Sequence, residues 1–287
     1  MSKGIKRMMN LDKLEICYRA KKEILDAIEE TEILYFNGFY LRKLIRNDIA
    51  NYYSINIYDD KFENGQYQFG ELKIGNKFET DNDEFRYCWI SVNNEFLYIN
   101  SADIPFNNCL DGIEENIGLH FNNFTNLDIA NDSNYNFYKR IWKEIRNKNT
   151  INVILNKKYP NTKDTLIGLT HEFSCNSERL LNGGIRITNK EKDMKLRVYD
   201  KSQEIIDSSN KLYIQNRFLS IKKIFRAEVR LKNKSLDDYC IKNNLTQYDI
   251  YAGITDEKLL YDIFCFYSDR LIHFVDAQRN KISILDL

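Results

Sequence analysis

Three short segments between Phe124 and Leu231 combine acids, cations and a tyrosine at spacings suited to chemistry on phosphates. In Phe225-Arg-Ala-Glu-Val-Arg-Leu231, strand alternation puts Arg226, Glu228 and Arg230 on one face and the apolar residues on the other. Such a row is either a surface salt-bridge ladder, worth little energetically, or a carboxylate held beside two phosphate-binding guanidiniums. The segment Lys195-Leu-Arg-Val-Tyr-Asp-Lys201 alternates in the same way. Leu196 and Val198 point to a core while Lys195, Arg197 and Tyr199 face the other way. A tyrosine among cations can attack a phosphodiester, stack on a base, or do neither, and in a chain with 19 tyrosines the default role is structural. Asp128 lies mid-strand between Leu127 and Ile129, on the opposite face from both, either as an exposed acid or as a divalent-metal ligand.

Strands and helices must position these groups. Leu11–Glu30 has apolar residues near helical spacing and predicts an amphipathic helix, preceded by a basic, frayed tail over residues 1–10. Aromatic and β-branched runs at Tyr52–Tyr58, Tyr67–Ile74, Phe85–Val92 and Phe96–Ile99 read as strands, the last two as a hairpin across Asn93-Asn94-Glu95. Asp103–Leu119 is less regular. Phe124–Ala130 predicts a strand, and Tyr135–Arg146 a helix capped by Asp132 or Ser133. Ile151–Leu155, Gly184–Thr188, Lys195–Tyr199 and Phe225–Leu231 follow as strands, the middle two as a hairpin. A short helix led by Ser235 and a longer one from Asp256 to about Arg279 complete the chain. Without a βαβα rhythm the expected class is α+β, with antiparallel sheets and packed helices. Residues 11–287 read as a single domain, divisible into lobes 11–120 and 121–287.

Composition narrows the classes of function. Hydrophobic residues make up 43% of the 287, which excludes global disorder. Forty-two basic residues balance 42 acidic ones, which argues against a nonspecific DNA-coating protein but leaves room for a local basic face. The six cysteines form no CxxC pair and the three histidines are scattered, so zinc is not expected and the thiols read as reduced, in a cytoplasmic protein. No apolar run is long enough for a membrane span.

In the order Leu-Asp-Ile-Ala-x-Asp, Tyr-Asp-Lys, Arg-x-Glu-x-Arg, the segments Thr125–Asp132, Lys195–Glu204 and Phe225–Lys234 resemble the rolling-circle replication initiators of plasmids and filamentous phages, of the Rep_trans and gene II/X type. The resemblance implies a replication-initiator-like core and a nicking-closing endonuclease that binds DNA, as single strand or origin duplex. Its tyrosine attacks the phosphodiester, leaving a 5′-phosphotyrosine and a free 3′-hydroxyl. It further implies Asp128 and Glu228 as ligands of a divalent metal, Mg²⁺ or Mn²⁺, and Lys201 as the lysine that neutralises phosphate charge. Arg226 and Arg230 would flank the site, and Arg186, Lys195 and Arg197 complete the cations expected on DNA. Host replication proteins are further partners of such initiators, and a homodimer is left open. The chain departs from the pattern where the family has its nucleophile. An ungapped overlay puts Arg186 at that place, and no His-x-His occurs. Either the register differs, or Tyr199 or Tyr213 has taken the role, or the chain no longer nicks. The alternatives are therefore a non-nicking DNA-binding relative, or an interaction or structural protein of a phage or mobile element docking through its aromatic-rich first half.

Overall fold

The computed structural model describes residues 6–46, 50–58, 66–75, 84–99, 106–146, 152–154, 169–174, 184–189, 193–218, 223–275, 278 and 280–286. The chain forms two compact units. The first comprises residues 12–127 and 246–255, and the second residues 1–11, 128–245 and 256–287. The elements are α-helices and antiparallel strands, which makes the class α+β as expected. Residues 121–127 and 246–255, which fall in the expected lobe 121–287, cluster with the first unit, and residues 1–11 with the second. No described helix is long and apolar enough to cross a membrane.

The chain opens with β1 (Arg7–Lys21), α1 (Lys22–Glu29), β2 (Ile33–Phe36), β3 (Phe39–Leu44), β4 (Asn51–Tyr58), β5 (Gln66–Ile74) and β6 (Phe85–Val92). Next come α2 (Asn94–Ile99), α3 (Phe106–Gly112) with a π-helical turn at Ile113–Ile117, and β7 (His120–Ser133). In the first unit the strand order is β2-β3-β4-β5-β6-β1-β7. The helix expected over Leu11–Glu30 is mostly strand, and so is the end of the supposed tail, from Arg7. Leu14, Ile16, Tyr18 and Ala20 are all fully buried and alternate with Lys13, Glu15 and Arg19, so the winning period is two. Pairing with β6 over Glu15–Lys21, with β7 on the other side, takes up the backbone groups of β1. Helix survives only in α1, where Leu25 and Ile28 are buried.

Phe96–Ile99 is helical, not the return strand of a hairpin, and β6 pairs instead with β5 and β1. Asn93 starts this helix by accepting from the Glu95 N–H at 3.1 Å. The turn delivers Phe96 edge-on to the fully buried Phe69 at 5.0 Å, with Phe106 5.9 Å from Phe69 on α3. Ring packing of this kind outweighs the strand preference of an aromatic run. Most of Asp103–Leu119 is likewise helical, ending at Gly118 in the left-handed region (φ 79°).

The second unit adds α4 (Phe137–Arg146), β8 (Asn152–Ile154), β9 (Leu169–Ser174), β10 (Gly184–Asn189), β11 (Met194–Asp200), α5 (Lys201–Glu204), α6 (Leu212–Arg217), β12 (Phe225–Lys232) and α7 (Asn233–Asn243). It closes with α9 (Glu257–Leu271), β13 (His273–Val275) and β14 (Lys281–Ile282), after α8 (Gln247–Ala252) of the first unit. Here the order is β1-β7-β12-β11-β10-β9, with β14-β13-β8 as a small separate sheet. The β10–β11 hairpin forms as expected. Ile185, Ile187, Leu196, Val198, Ala227 and Val229 are buried, and α4 and α9 pack against β11 and β12. The cap of α4 is neither Asp132 nor Ser133. Asn136 accepts from the Lys139 N–H at 2.9 Å, while β7 runs through both expected caps. α9 stops at Leu271, short of Arg279, where the chain turns into β13; Arg279 itself, and the ends Ile151 and Leu155 of an expected strand, lie outside the described residues.

Two stability tests follow from this core. Phe69→Ala should cost about 3–5 kcal/mol, read as a lower urea midpoint with an unchanged slope. Burial pushes the Cys17 thiol up to about 11, partly offset by a hydrogen bond from Asn122. The folded state therefore holds a proton that the unfolded chain releases near the ordinary thiol value. That stabilisation is complete below pH 9 and fades as pH climbs toward about 11. Cys17→Ala should accordingly lose less stability than the parent chain between pH 8 and pH 11 in matched urea melts.

Candidate functional site

The segments singled out by their chemistry meet on the strands of the second unit. β11 and β12 pair antiparallel with Tyr199 opposite Arg226, Arg197 opposite Glu228 and Lys195 opposite Arg230. Because alternation is strict on both strands, the two polar rows share one face of the pair. On the other side of β11, Arg186 of β10 stands opposite Arg197. A row of cations thus runs across neighbouring strands toward one glutamate.

Glu228 is the centre of the cluster and is 1% exposed. The Tyr199 hydroxyl donates to its Oε2 at 3.0 Å. Its Oε1 is buried and accepts no hydrogen bond, though the Arg197 and Arg230 guanidiniums stand 3.7 and 3.6 Å away. Arg230 reaches the fully buried Asp128 of β7 as well, at 2.6 Å from Nη2 and 2.8 Å from Nε, and so holds both carboxylates around one guanidinium. The Arg197 guanidinium lies 5.0 Å from the centre of the Tyr199 ring and the Lys201 ammonium 5.9 Å from it. Both cations lie within cation–π reach of the ring. Gly184 permits the close approach of β10 here, since a Cβ on it would lie 3.2 Å from the Val198 carbonyl oxygen and 3.4 Å from the Tyr199 Cβ.

Several expected residues sit differently from their sequence reading. Arg226 does not flank the site as a phosphate contact. It is completely buried, and its Nε and Nη2 each donate at 2.7 Å to the two carboxylate oxygens of Asp132. A guanidinium committed in this way, out of reach of solvent, is part of the framework. Lys201 is 2% exposed and pairs with Glu204 at 2.6 Å, so its charge reaches the site across the Tyr199 ring. Tyr213 lies on α6, and the hydroxyl bonded to Glu228 is that of Tyr199. Arg186 is exposed, and with Arg197 and Tyr199 it lines an open groove of about 350 Å³ floored by β10 and β11 and walled by α5 and the π-helical turn Ile205–Ser209.

Sequence reasoning missed two supports of this arrangement. Asn10 donates to Asp132 Oδ2 at 3.1 Å, although its segment reads as a loose tail. Asp200 caps α5 by accepting from the Gln203 N–H at 3.0 Å, which fixes the exit of the strand directly after Tyr199. The capping signal was legible in Asp-Lys-Ser-Gln; nothing local marked Asn10.

A metal is the harder question. The orphaned Glu228 Oε1 beside Asp128 is suited to an oxygen-seeking cation, but among the described residues no group of three or more His, Cys, Asp or Glu side chains is placed to hold one. Mg²⁺ commonly takes one or two carboxylates and completes its shell with water and phosphate oxygens; at this pair it would compete with Arg230, which bonds to Asp128 and stands 3.6 Å from Glu228 Oε1.

Comparison with known proteins gives one likeness of fold. Over 95% of this chain and 87% of the other, the structure resembles that of the rolling circle replication initiator protein from Geobacillus stearothermophilus, with a TM-score of 0.50 and 12% sequence identity. No protein-family model matches the chain. No curated protein matches it.

The Arg226–Asp132 pair gives a direct test of what is framework here. Asp132→Ala leaves a buried guanidinium without its carboxylate and should cost about 3–5 kcal/mol in denaturant melts, whereas Asp132→Leu combined with Arg226→Met should recover most of that loss.

Proposed function

We propose that the chain is a replication initiator that binds DNA and cuts one strand through Tyr199. The observation that carries this reading is the Tyr199 hydroxyl donating at 3.0 Å to the buried Glu228, with cations over the ring and a groove in front of it. The likeness to a rolling-circle initiator supports the fold needed for it.

The chemistry is a phosphodiester transfer. The Tyr199 oxygen attacks phosphorus as its proton passes to Glu228, and the P–O3′ bond breaks. The chain is then joined to the 5′-phosphate, and the 3′-oxygen leaves as a hydroxyl after taking up a proton. Arg186 and Arg197, both at the groove, suit the phosphates on either side of the scissile one. Arg230 keeps Asp128 and Glu228 together and compensates their charge. A Mg²⁺ or Mn²⁺ ion held by Asp128 and Glu228 would supply Lewis-acid polarisation of the phosphate.

One observation favours the binding-only alternative: an arginine, Arg186, stands where the resemblance expects the nucleophile, and it is exposed at the groove. The two readings separate cleanly. A single-stranded oligonucleotide spanning the cognate origin, incubated with the full chain and Mg²⁺ or Mn²⁺, should give an SDS-resistant protein–DNA adduct. Tyr199→Phe should give none, Glu228→Gln should slow its formation roughly 10²–10⁴-fold, and EDTA should prevent it. An adduct formed by Tyr199→Phe at the parental rate would refute the assignment of the nucleophile. Salt-sensitive, origin-selective binding with no adduct under any condition would establish the binding-only reading.

A further inference from the structure

The first unit carries a face for which cleavage has no use. Alternation and register place Leu44, Tyr52, Lys73 and Trp89 in one row across β3, β4, β5 and β6, on the side opposite the buried Leu41, Tyr53, Leu72 and Ile90. The buried side is the one that meets the helices. Arg86, which alternates with Tyr87, bonds to Asp26 and Glu29 of α1 at 2.8 and 2.7 Å, and Lys43 donates to the Glu29 carbonyl. The row with Lys73 and Trp89 is open to solvent: Lys73 and Arg42 are exposed, Tyr52 and Trp89 half-exposed, and Tyr87 37% exposed.

Aromatic rings and cations interleave along this face. The Lys73 ammonium lies 5.9 Å from both the Tyr52 and the Trp89 ring centres. Arg46 lies 4.6 Å from Tyr52, Arg19 4.7 Å from Phe85 and Arg42 5.9 Å from Tyr40. Five such contacts fall on this one face. The acids present are already neutralised. Glu71 accepts two bonds from Arg46 at 2.7 and 2.8 Å, and Glu15 pairs with Lys13 at 3.6 Å and accepts from Asn126. Arg19, Arg42 and Lys73 make no ion pair among the described residues, so the face is left with an excess of positive charge.

We infer that this face is a stacking platform for single-stranded DNA, separate from the Tyr199 groove. Tyr52 and Trp89 are two strand spacings apart, about 10 Å. The half-exposed Trp89 offers a π-face to an unpaired base, Tyr52 stands beside it with Arg46 packed on its ring, and Lys73 lies between the two rings where the linking phosphate would pass. A duplex presents no free base faces to such rings, and the lysine at the centre of the row is of a type that protein interfaces deplete. The choice of DNA over RNA rests on the replication reading above; the stacking geometry does not depend on it.

The test uses the full chain carrying Trp142→Phe, which leaves Trp89 as its single tryptophan. Titration with a 16-mer of dT in EDTA should quench Trp89 fluorescence saturably. The dependence of affinity on salt should have a logarithmic slope near −2, from about three released counterions. By anisotropy of a labelled dT 16-mer, Trp89→Ala should weaken binding roughly tenfold or more, and the surface change Lys73→Gln severalfold, with unchanged circular dichroism. Glu228→Gln should leave the quench intact, which keeps this result independent of cleavage. Binding by anisotropy without any Trp89 quench would overturn the proposal. So would tighter binding of a rU 16-mer or of duplex, or a concentration-dependent dimer that Trp89→Ala abolishes.

Discussion

Four charged side chains with almost no access to water, Asp128, Asp132, Arg226 and Glu228, constrain everything around them. An isolated ion in such a place is very costly, so each must be compensated within hydrogen-bonding or ion-pairing reach. The compensation is divided. Arg226 and Asp132 close on each other through two 2.7 Å bonds, a geometry that leaves neither guanidinium nor carboxylate for a ligand. Asp128 and Glu228 share Arg230, and Glu228 keeps one oxygen without a hydrogen bond. The closed pair fixes β12, and the incompletely satisfied carboxylate lies two residues further along the same strand.

The consequence for Tyr199 is positional. Its ring has Arg197 and Lys201 within cation–π reach, its hydroxyl bonds to Glu228, and the strand that carries it ends at once in a helix capped by Asp200. A nucleophile or a DNA-contacting phenol needs this kind of fixed approach, because misplacement by about 1 Å can cost two orders of magnitude in rate. Lys201 contributes through the ring and not by direct contact, since Glu204 occupies its ammonium. The sequence motif of tyrosine, acid and lysine therefore works as a local electrostatic unit. Each member has a partner other than the one its order in the chain suggests.

The two units use sheet surface differently. In the second, one face of β11 and β12 carries buried charge and a tyrosine beside a groove. In the first, charge on the open face stays at the surface and rings are interleaved with it, while a dry face holds Phe69, Phe96 and Phe106. Those rings also explain why Phe96–Ile99 is helix. A short turn places Phe96 onto Phe69, which an outgoing strand would not do.

The amino-acid sequence determined the periodicity of the strands from Gly184 to Leu231, and with it the sharing of a face by Arg226, Glu228 and Arg230 and by Lys195, Arg197 and Tyr199. Side-chain alternation is a local property, and on central strands nothing overrides it. It also determined the α+β class. Only the tertiary structure decided that residues 7–21 are strand, since helical and strand periods both accommodate that apolar run and the choice falls to pairing with β6, some seventy residues away. The tertiary structure likewise decided which arginine is closed into the framework and which joins the Glu228 cluster. Arg226 and Arg230 are equivalent in the sequence pattern. They differ because Asp132 lies within bonding distance of one, and Asp128 and Glu228 lie beside the other.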